Sequence, residues 1–160
     1  MPHTFRRAGR GDLAAIVALL ADDTLGRQRE DASSPLDARY VDAFAVIDAD
    51  PNQLLAVVER EGDGEVIGCL QLSFIPGLSR RGQLRGQVES VRIAASHRGG
   101  GLGRAMLEWA IAECRARGCG MVQLTSDKSR RDAVRFYESL GFRASHEGMK
   151  LELDGRAGAG

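Results

Sequence analysis

The sequence predicts an α/β domain built on a mixed sheet, and three observations carry that expectation. Apolar residues alternate along the chain between a period of two and a period near 3.6. The first half ends in a strand meander, whereas the second half runs strand–helix–strand–helix. Three consecutive glycines, Gly99 to Gly101, stand between a strand and a helix, where ordering the chain costs the most entropy.

The elements follow in order. "TFRRA" (Thr4 to Ala8) reads as an opening strand. Asp12 caps a helix whose Leu13, Ile16, Val17 and Leu20 form one apolar stripe. "TLGRQREDASSP" (Thr24 to Pro35) is polar and rich in turn formers, which predicts a loop. A second helix is expected from Leu36 to Ala49, with Tyr40, Phe44 and Ile47 on one face and Pro51 beyond its end. The strands "QLLAVVER" and "EVIGCLQLSFI" are joined hairpin-fashion by "EGDG", and the polar "SRRGQLRG" leads into "QVESVRIA". After the glycines come a helix from Leu102 to Arg117, the strand "MVQLTS", and a helix from Arg130 to Leu140 that stops at Gly141. "FRASHEGMKLEL" predicts two short strands around a turn, and "DGRAGAG" a flexible tail. The sequence thus predicts one domain over residues 1–153 and a tail over 154–160.

Composition narrows the partners. At 160 residues with 43% apolar content, the chain can bury about two-thirds of its unfolded surface around one core. Twenty-two basic and 22 acidic residues cancel, and no aromatic-basic strand pair is present, which argues against nucleic acid. No apolar run is long enough to span a bilayer, and "MPHTFRRAG" lacks a signal-peptide core, so a cytoplasmic protein without membrane contact is expected. Cys69, Cys114 and Cys119 form no C-x-x-C pair and read as reduced thiols; with His3, His97 and His146 scattered, no metal site is expected.

The glycine run points to a phosphate, because a strand-to-helix turn aims backbone N–H groups and a helix dipole at one point; a tight turn without ligand is the alternative. A P-loop needs Gly-Lys-Ser/Thr, but Gly103 is followed by Arg104 and Ala105. The dinucleotide fingerprint needs Gly or Ala where Met106 stands.

What fits is Arg98-x-x-Gly101-x-Gly103. "VRIAASHRGGGLGRAMLEWA" resembles the strand–loop–helix motif of the GNAT superfamily of N-acetyltransferases, and "AVRFYESLGF" resembles its second hallmark. The resemblance is specific over roughly residues 85 to 153. It implies a GNAT-like fold: a mostly antiparallel sheet with one parallel strand pair at the cofactor cleft, flanked by about four helices. It implies acetyl-CoA as cosubstrate and direct transfer in a ternary complex, with no cysteine required. By the same resemblance Val91, Arg92 and Ile93 lie on a splayed strand whose backbone binds the pantetheine arm, and an N–H of Ile93 or its neighbour stabilises the tetrahedral oxyanion. Gly99, Gly100, Gly101, Leu102, Gly103 and Arg104 would offer N–H groups to the pyrophosphate, and Arg98 would order the loop or touch phosphate.

An alkyl amine, with a pKa of about 10, must lose a proton before it attacks. Glu89 is the candidate base, placed by strand alternation on the face of Val91 and Ile93, two residues after Gln87, which cannot act as a base. A structural carboxylate paired with arginine is the alternative. Tyr137 matches the family's general acid; its place in the stripe Ala133, Phe136, Tyr137, Leu140 also suits a core residue. Arg130 stands where relatives often carry a cofactor-contacting Asn.

The expected acceptor is a small amine or amino-acid-like molecule. Asp22, Asp23, Glu30 and Asp31 at the first loop would attract a cation, and Arg80, Arg81 and Arg85 at the second (Ile75 to Gln83, with Arg85 nearby) an anion. A peptide or protein amine, and an acyl-CoA-binding sensor without turnover, are the alternatives. A homodimer is expected from the resemblance alone.

Overall fold

The computed structural model describes residues 2–154, so the expected tail lies outside the described residues except for Asp154. Five strands form one sheet in sequence order: β1 (His3–Arg7), β2 (Gln53–Arg60), β3 (Val66–Ile75), β4 (Arg85–Ile93) and β5 (Met121–Leu124). Neighbours are antiparallel except β4 and β5, which pair in parallel from Arg85↔Met121 to Val88↔Leu124. This is the mixed, mostly antiparallel sheet that the sequence predicts.

Strand alternation builds two cores. Leu54, Ala56 and Val58 of β2 face one side with Leu70, Leu72 and Phe74 of β3; Leu55, Val57 and Cys69 face the other. The first side is covered by α5 (Leu102–Ala116), whose Met106, Leu107, Ala110 and Cys114 have no exposed surface, and by α6 (Arg131–Ser139). The second side is covered by α1 (Leu13–Ala21) and α3 (Ala38–Ala49). Gly86 is a close-packing position: a Cβ there would overlap Cys114 Sγ, so β4 meets α5 backbone to side chain.

Four departures from the sequence reading have physical causes. The predicted loop after Asp23 starts with a helix, α2 (Thr24–Arg29), capped by Asp23 accepting from the Gly26 N–H. A Cβ at Gly26 would run into the Leu20 carbonyl, so glycine is what lets α2 fold back on α1. The polar connection before β4 holds a single turn, α4 (Ser79–Gly82), in which Arg80 and Arg81 are left-handed; these two short segments add to the four longer helices expected. Asp12 precedes α1 without bonding its N-terminus; it accepts from the Gly9 N–H and pairs with Arg6 at 2.8 Å. Residues 142–153 form neither of the two expected strands.

Candidate active site

The site grows from an irregularity in β4. Ser90 takes φ +54°, and the β3–β4 register skips between Cys69↔Arg92 and Gln71↔Glu89. Ser90 and Val91 therefore oppose one residue of β3, and the side-chain alternation changes phase. Val88, Val91 and Ile93 all belong to the α5 side. Glu89 pairs with Gln71 and follows Gln87, on the α1/α3 side. Glu89 therefore does not share a face with Val91 and Ile93, which corrects the simple alternation.

The same bulge ends the pairing with β5 at Val88. From Glu89 to Ile93, the edge of β4 facing β5 has no partner strand among the described residues. That is the splayed geometry in which a backbone edge is free to bond an extended ligand.

At the far end of this edge stands the glycine run. Gly99 (φ +81°) and Gly101 (φ +86°) require left-handed backbone, and a Cβ on any of Gly99, Gly100 or Gly101 would meet nothing within 4 Å. Gly101 caps α5 without a side chain, and the first helical bond is Ala105 N–H to Gly101 C=O at 3.2 Å. By helix geometry the N–H groups before it have no partner within α5. A capping side chain would add about 1 kcal/mol; burial of Met106 and Leu107, at about 2 kcal/mol each, holds α5 without it. Gly103 has another reason: its Cβ would sit 3.3 Å from Ile93 Cδ1 and 3.6 Å from Phe136 Cζ, where α5 meets β4 and α6. Leu102 is buried in the core.

The arginines divide by partner. Arg98 donates to the Ile93 carbonyl (3.1 Å) and the Asp22 carbonyl (3.4 Å), strapping the glycine loop to the end of α1. Arg104 turns to α6, reaching Ser139 Oγ at 3.3 Å and Glu108 at 3.6 Å. Arg92 lies 3.6 Å from Asp23, and its buried Nε has no hydrogen-bond partner among the described residues. The acidic residues near α2 are thus largely engaged within the chain: Asp22 with Arg98, Asp23 with Arg92 and the α2 N-terminus, Glu30 with the Tyr40 hydroxyl, Asp31 with Ser33.

Tyr137 packs against the core between Phe136 and Phe142, with ring centroids at 5.4 and 5.9 Å. Its hydroxyl makes no hydrogen bond among the described residues. Burial pushes that hydroxyl above its ordinary pKa, while the nearby Arg130 and Arg92 guanidinium groups pull the other way. Arg130 precedes α6 in a loop tied by Asp127, which accepts from the Ser129 N–H and hydroxyl.

Sequence reasoning missed a row of polar side chains on the α1/α3 face. Arg85 donates to Gln123 Oε1 (3.4 Å), Gln123 to Gln87 Oε1 (2.9 Å), and Gln87 to Glu89 Oε1 (2.7 Å). Donors run one way, from a cation to the exposed carboxylate. Glu89 makes no ion pair among the described residues, so its partner is an amide rather than an arginine. Burial pushes the Cys69 and Cys114 thiols up to about 12, which removes both as nucleophiles.

A sheet splayed beside its one parallel pair, with a glycine-capped helix start at the mouth of the gap, is the arrangement that the resemblance to acetyltransferases implies. The chain belongs to the acetyltransferase (GNAT) family, whose sequence profile matches residues 15–142. It is 37% identical over 90 residues to glucosamine 6-phosphate N-acetyltransferase of Trypanosoma brucei brucei, covering 56% of this chain and 59% of that one. It is 32% identical over 107 residues to aminoalkylphosphonate N-acetyltransferase of Salmonella typhimurium, covering 67% and 68%. The matches thus span from under two thirds to about two thirds of these enzymes. The crystal structure of a transcriptional regulator from Bacillus halodurans C-125 is 46% identical and superposes with a TM-score of 0.91 over 95% of this chain and 100% of that one. No helix among the described residues is long and apolar enough to cross a membrane.

Proposed function

We propose that this acyltransferase moves the acetyl group of acetyl-CoA to a small primary amine by direct attack in a ternary complex. The observation that carries the reading is the unpaired β4 edge past Ser90, running from Glu89 to the loop before Gly99. Acetyl-CoA fits it: the N–H groups of Gly99 to Arg104 around the α5 N-terminus suit a pyrophosphate, and the edge at Val91, Arg92 and Ile93 suits an amide-bearing arm.

Glu89 takes the ammonium proton, directly or through water, so that the amine lone pair can form the new C–N bond. As the carbon–sulfur bond breaks, the Tyr137 hydroxyl supplies a proton to the leaving thiolate. Its raised pKa keeps that proton in place at neutral pH. Arg98 orders the loop rather than meeting phosphate, in keeping with its two backbone bonds. Arg130 stays within electrostatic reach of Tyr137, on the cosubstrate side.

A small acceptor is favoured by the relatives named for glucosamine 6-phosphate and aminoalkylphosphonates. The test is thiol release from acetyl-CoA with aminoalkylphosphonates, amino sugar phosphates, amino acids and peptides, in the wild type, Glu89→Gln and Tyr137→Phe. Turnover with a small amine that both substitutions suppress supports the proposal; turnover with peptides alone moves the acceptor to the second class. The 46% identical Bacillus regulator favours a second reading, a regulatory module that binds acyl-CoA. Tight acetyl-CoA binding without turnover on any amine would select it.

A further inference from the structure

Glu89 lies exposed on the stretch of β4 that has lost β5, yet its carboxylate is held. Its cross-strand neighbour on β3 does not hold it: Gln71 Nε2 and Ser73 Oγ both donate to Gln53 Oε1, at 2.9 and 3.0 Å. Among the described residues the side chain that holds Glu89 is Gln87, whose Nε2 donates to Oε1 at 2.7 Å. Gln87 in turn faces Gln123, its register partner in the last stretch where β4 and β5 pair. The row therefore carries order from the paired part of the sheet into the part that splays.

The two ends of the row decide its arrangement. A guanidinium can only donate and a carboxylate can only accept, so the amides between them have one usable orientation. Arg85 donates to Gln123 Oε1, which leaves Gln123 Nε2 for Gln87 Oε1 and Gln87 Nε2 for Glu89. Turning either amide over would set donor against donor. Bonds in such a chain polarise one another, and the last of them ends on a charge. Elsewhere near the site a carboxylate meets its arginine directly, as Asp22 meets Arg98 and Asp23 meets Arg92. An arginine in direct contact opposes protonation of a carboxylate. Here two neutral amides stand between Arg85 and Glu89.

We propose that Gln87, oriented by Gln123 and Arg85, is a positioning residue: it fixes Glu89 by Oε1 and leaves Oε2 to take the proton of the amine. The proposal rests on the reading of Glu89 as the base. The ammonium N–H bond breaks, its electron pair stays on nitrogen, and the proton bonds to Oε2. Oε1 keeps its bond from Gln87 throughout, because a carbonyl oxygen accepts as a carboxylate oxygen does. The carboxyl group is thus held in one place before and after the transfer. An exposed glutamate without that tether would spread over many rotamers. Exposure then lets Oε2 return its proton to water.

Gln87→Leu keeps the size of the side chain and removes both of its hydrogen bonds. With a small amine as acceptor it should lower kcat about tenfold and leave KM for acetyl-CoA within about twofold. Its circular dichroism spectrum should be unchanged. Gln123→Leu leaves the Gln87–Glu89 bond but frees the Gln87 amide to turn, and should cost about threefold. On a Glu89→Gln background Gln87→Leu should add nothing, because no base remains to be placed. A Gln87→Leu enzyme as fast as wild type, while Glu89→Gln is slow, overturns the proposal. So does a Gln87→Leu loss that persists in full on the Glu89→Gln background. The row is also read without turnover, in the side-chain amide resonances of a nitrogen–proton correlation spectrum. Glu89→Ala should shift the Gln87 resonances and, through them, those of Gln123; a shift at neither overturns the proposal. If the row is intact in that spectrum but Glu89→Gln is as fast as wild type, Glu89 is not the base, and the positioning role falls with it.

Discussion

Glu89 and Val91 lie two residues apart on β4 and on opposite faces of the sheet, because Ser90 between them is left-handed and unmatched by β3. The candidate base is thereby placed on the α1/α3 side, while the free backbone edge runs beside it. Glu89→Gln should lower kcat at neutral pH by about 10²-fold and leave the fold intact, since Glu89 is exposed. The residual rate should climb with pH toward the pKa of the amine, as unprotonated acceptor accumulates. A pH–rate profile of this variant that stays flat would remove Glu89 from proton transfer.

Gly100 and Gly103 should respond differently to added side chains. A Cβ on Gly100 meets nothing, and its backbone is not left-handed. Gly100→Ala should leave stability within about 0.5 kcal/mol and weaken acetyl-CoA binding about tenfold, measured by calorimetric titration. Gly103→Val crowds Ile93 and Phe136 and should cost about 1–3 kcal/mol in chemical denaturation.

Tyr137→Phe should reduce kcat about 10²-fold with KM for acetyl-CoA little changed, because the hydroxyl has no hydrogen bond to lose among the described residues. The acid is the protonated form, and burial raises its pKa above the ordinary 10.0. Activity should therefore persist through neutral pH and fall on an alkaline limb above 10. Arg130 holds that pKa down, so Arg130→Ala should move the limb to higher pH. A limb unmoved in Arg130→Ala would belong to another group.

Asp12→Asn should cost about 1 kcal/mol at pH 7, limited by solvent screening at the half-exposed Arg6. The Arg6 guanidinium holds the Asp12 carboxyl below its ordinary 3.8. A lowered pKa in the fold contributes stability above the unfolded value and loses it as pH falls through the folded one. The gap between wild type and Asp12→Asn, followed by urea denaturation, should close as pH drops below 3.8.

The elements with a strong period were legible in the sequence. The stripe of α5 and the alternation of β2 and β3 follow from their residues, and the crossover into β5 follows from the glycines between. The bulge was not legible: Ser90 is an ordinary strand residue, and its left-handed turn arises from pairing with β3, some twenty residues earlier in the chain. The polar row was hidden for the same reason, since Arg85, Gln87 and Gln123 meet only once β4 and β5 pair. α2 was legible in part, because Asp23 before Thr24 is a helix-capping signal, but the turn-forming residues after it outweighed that signal. The two strands expected in residues 142–153 did not form, although Met149, Leu151 and Leu153 alternate there with Lys150 and Glu152.

Arg98 has a mechanical consequence. By holding the Ile93 carbonyl with one nitrogen and the Asp22 carbonyl with another, it couples the glycine loop to the start of α2. A pyrophosphate that drew Gly99 to Gly101 into place would pull on the same strap that holds Asp22, next to the Asp23–Arg92 pair. Occupancy of the proposed cosubstrate cradle would then be felt at the start of α2. Steady-state kinetics should show the thioester entering first and the amine second.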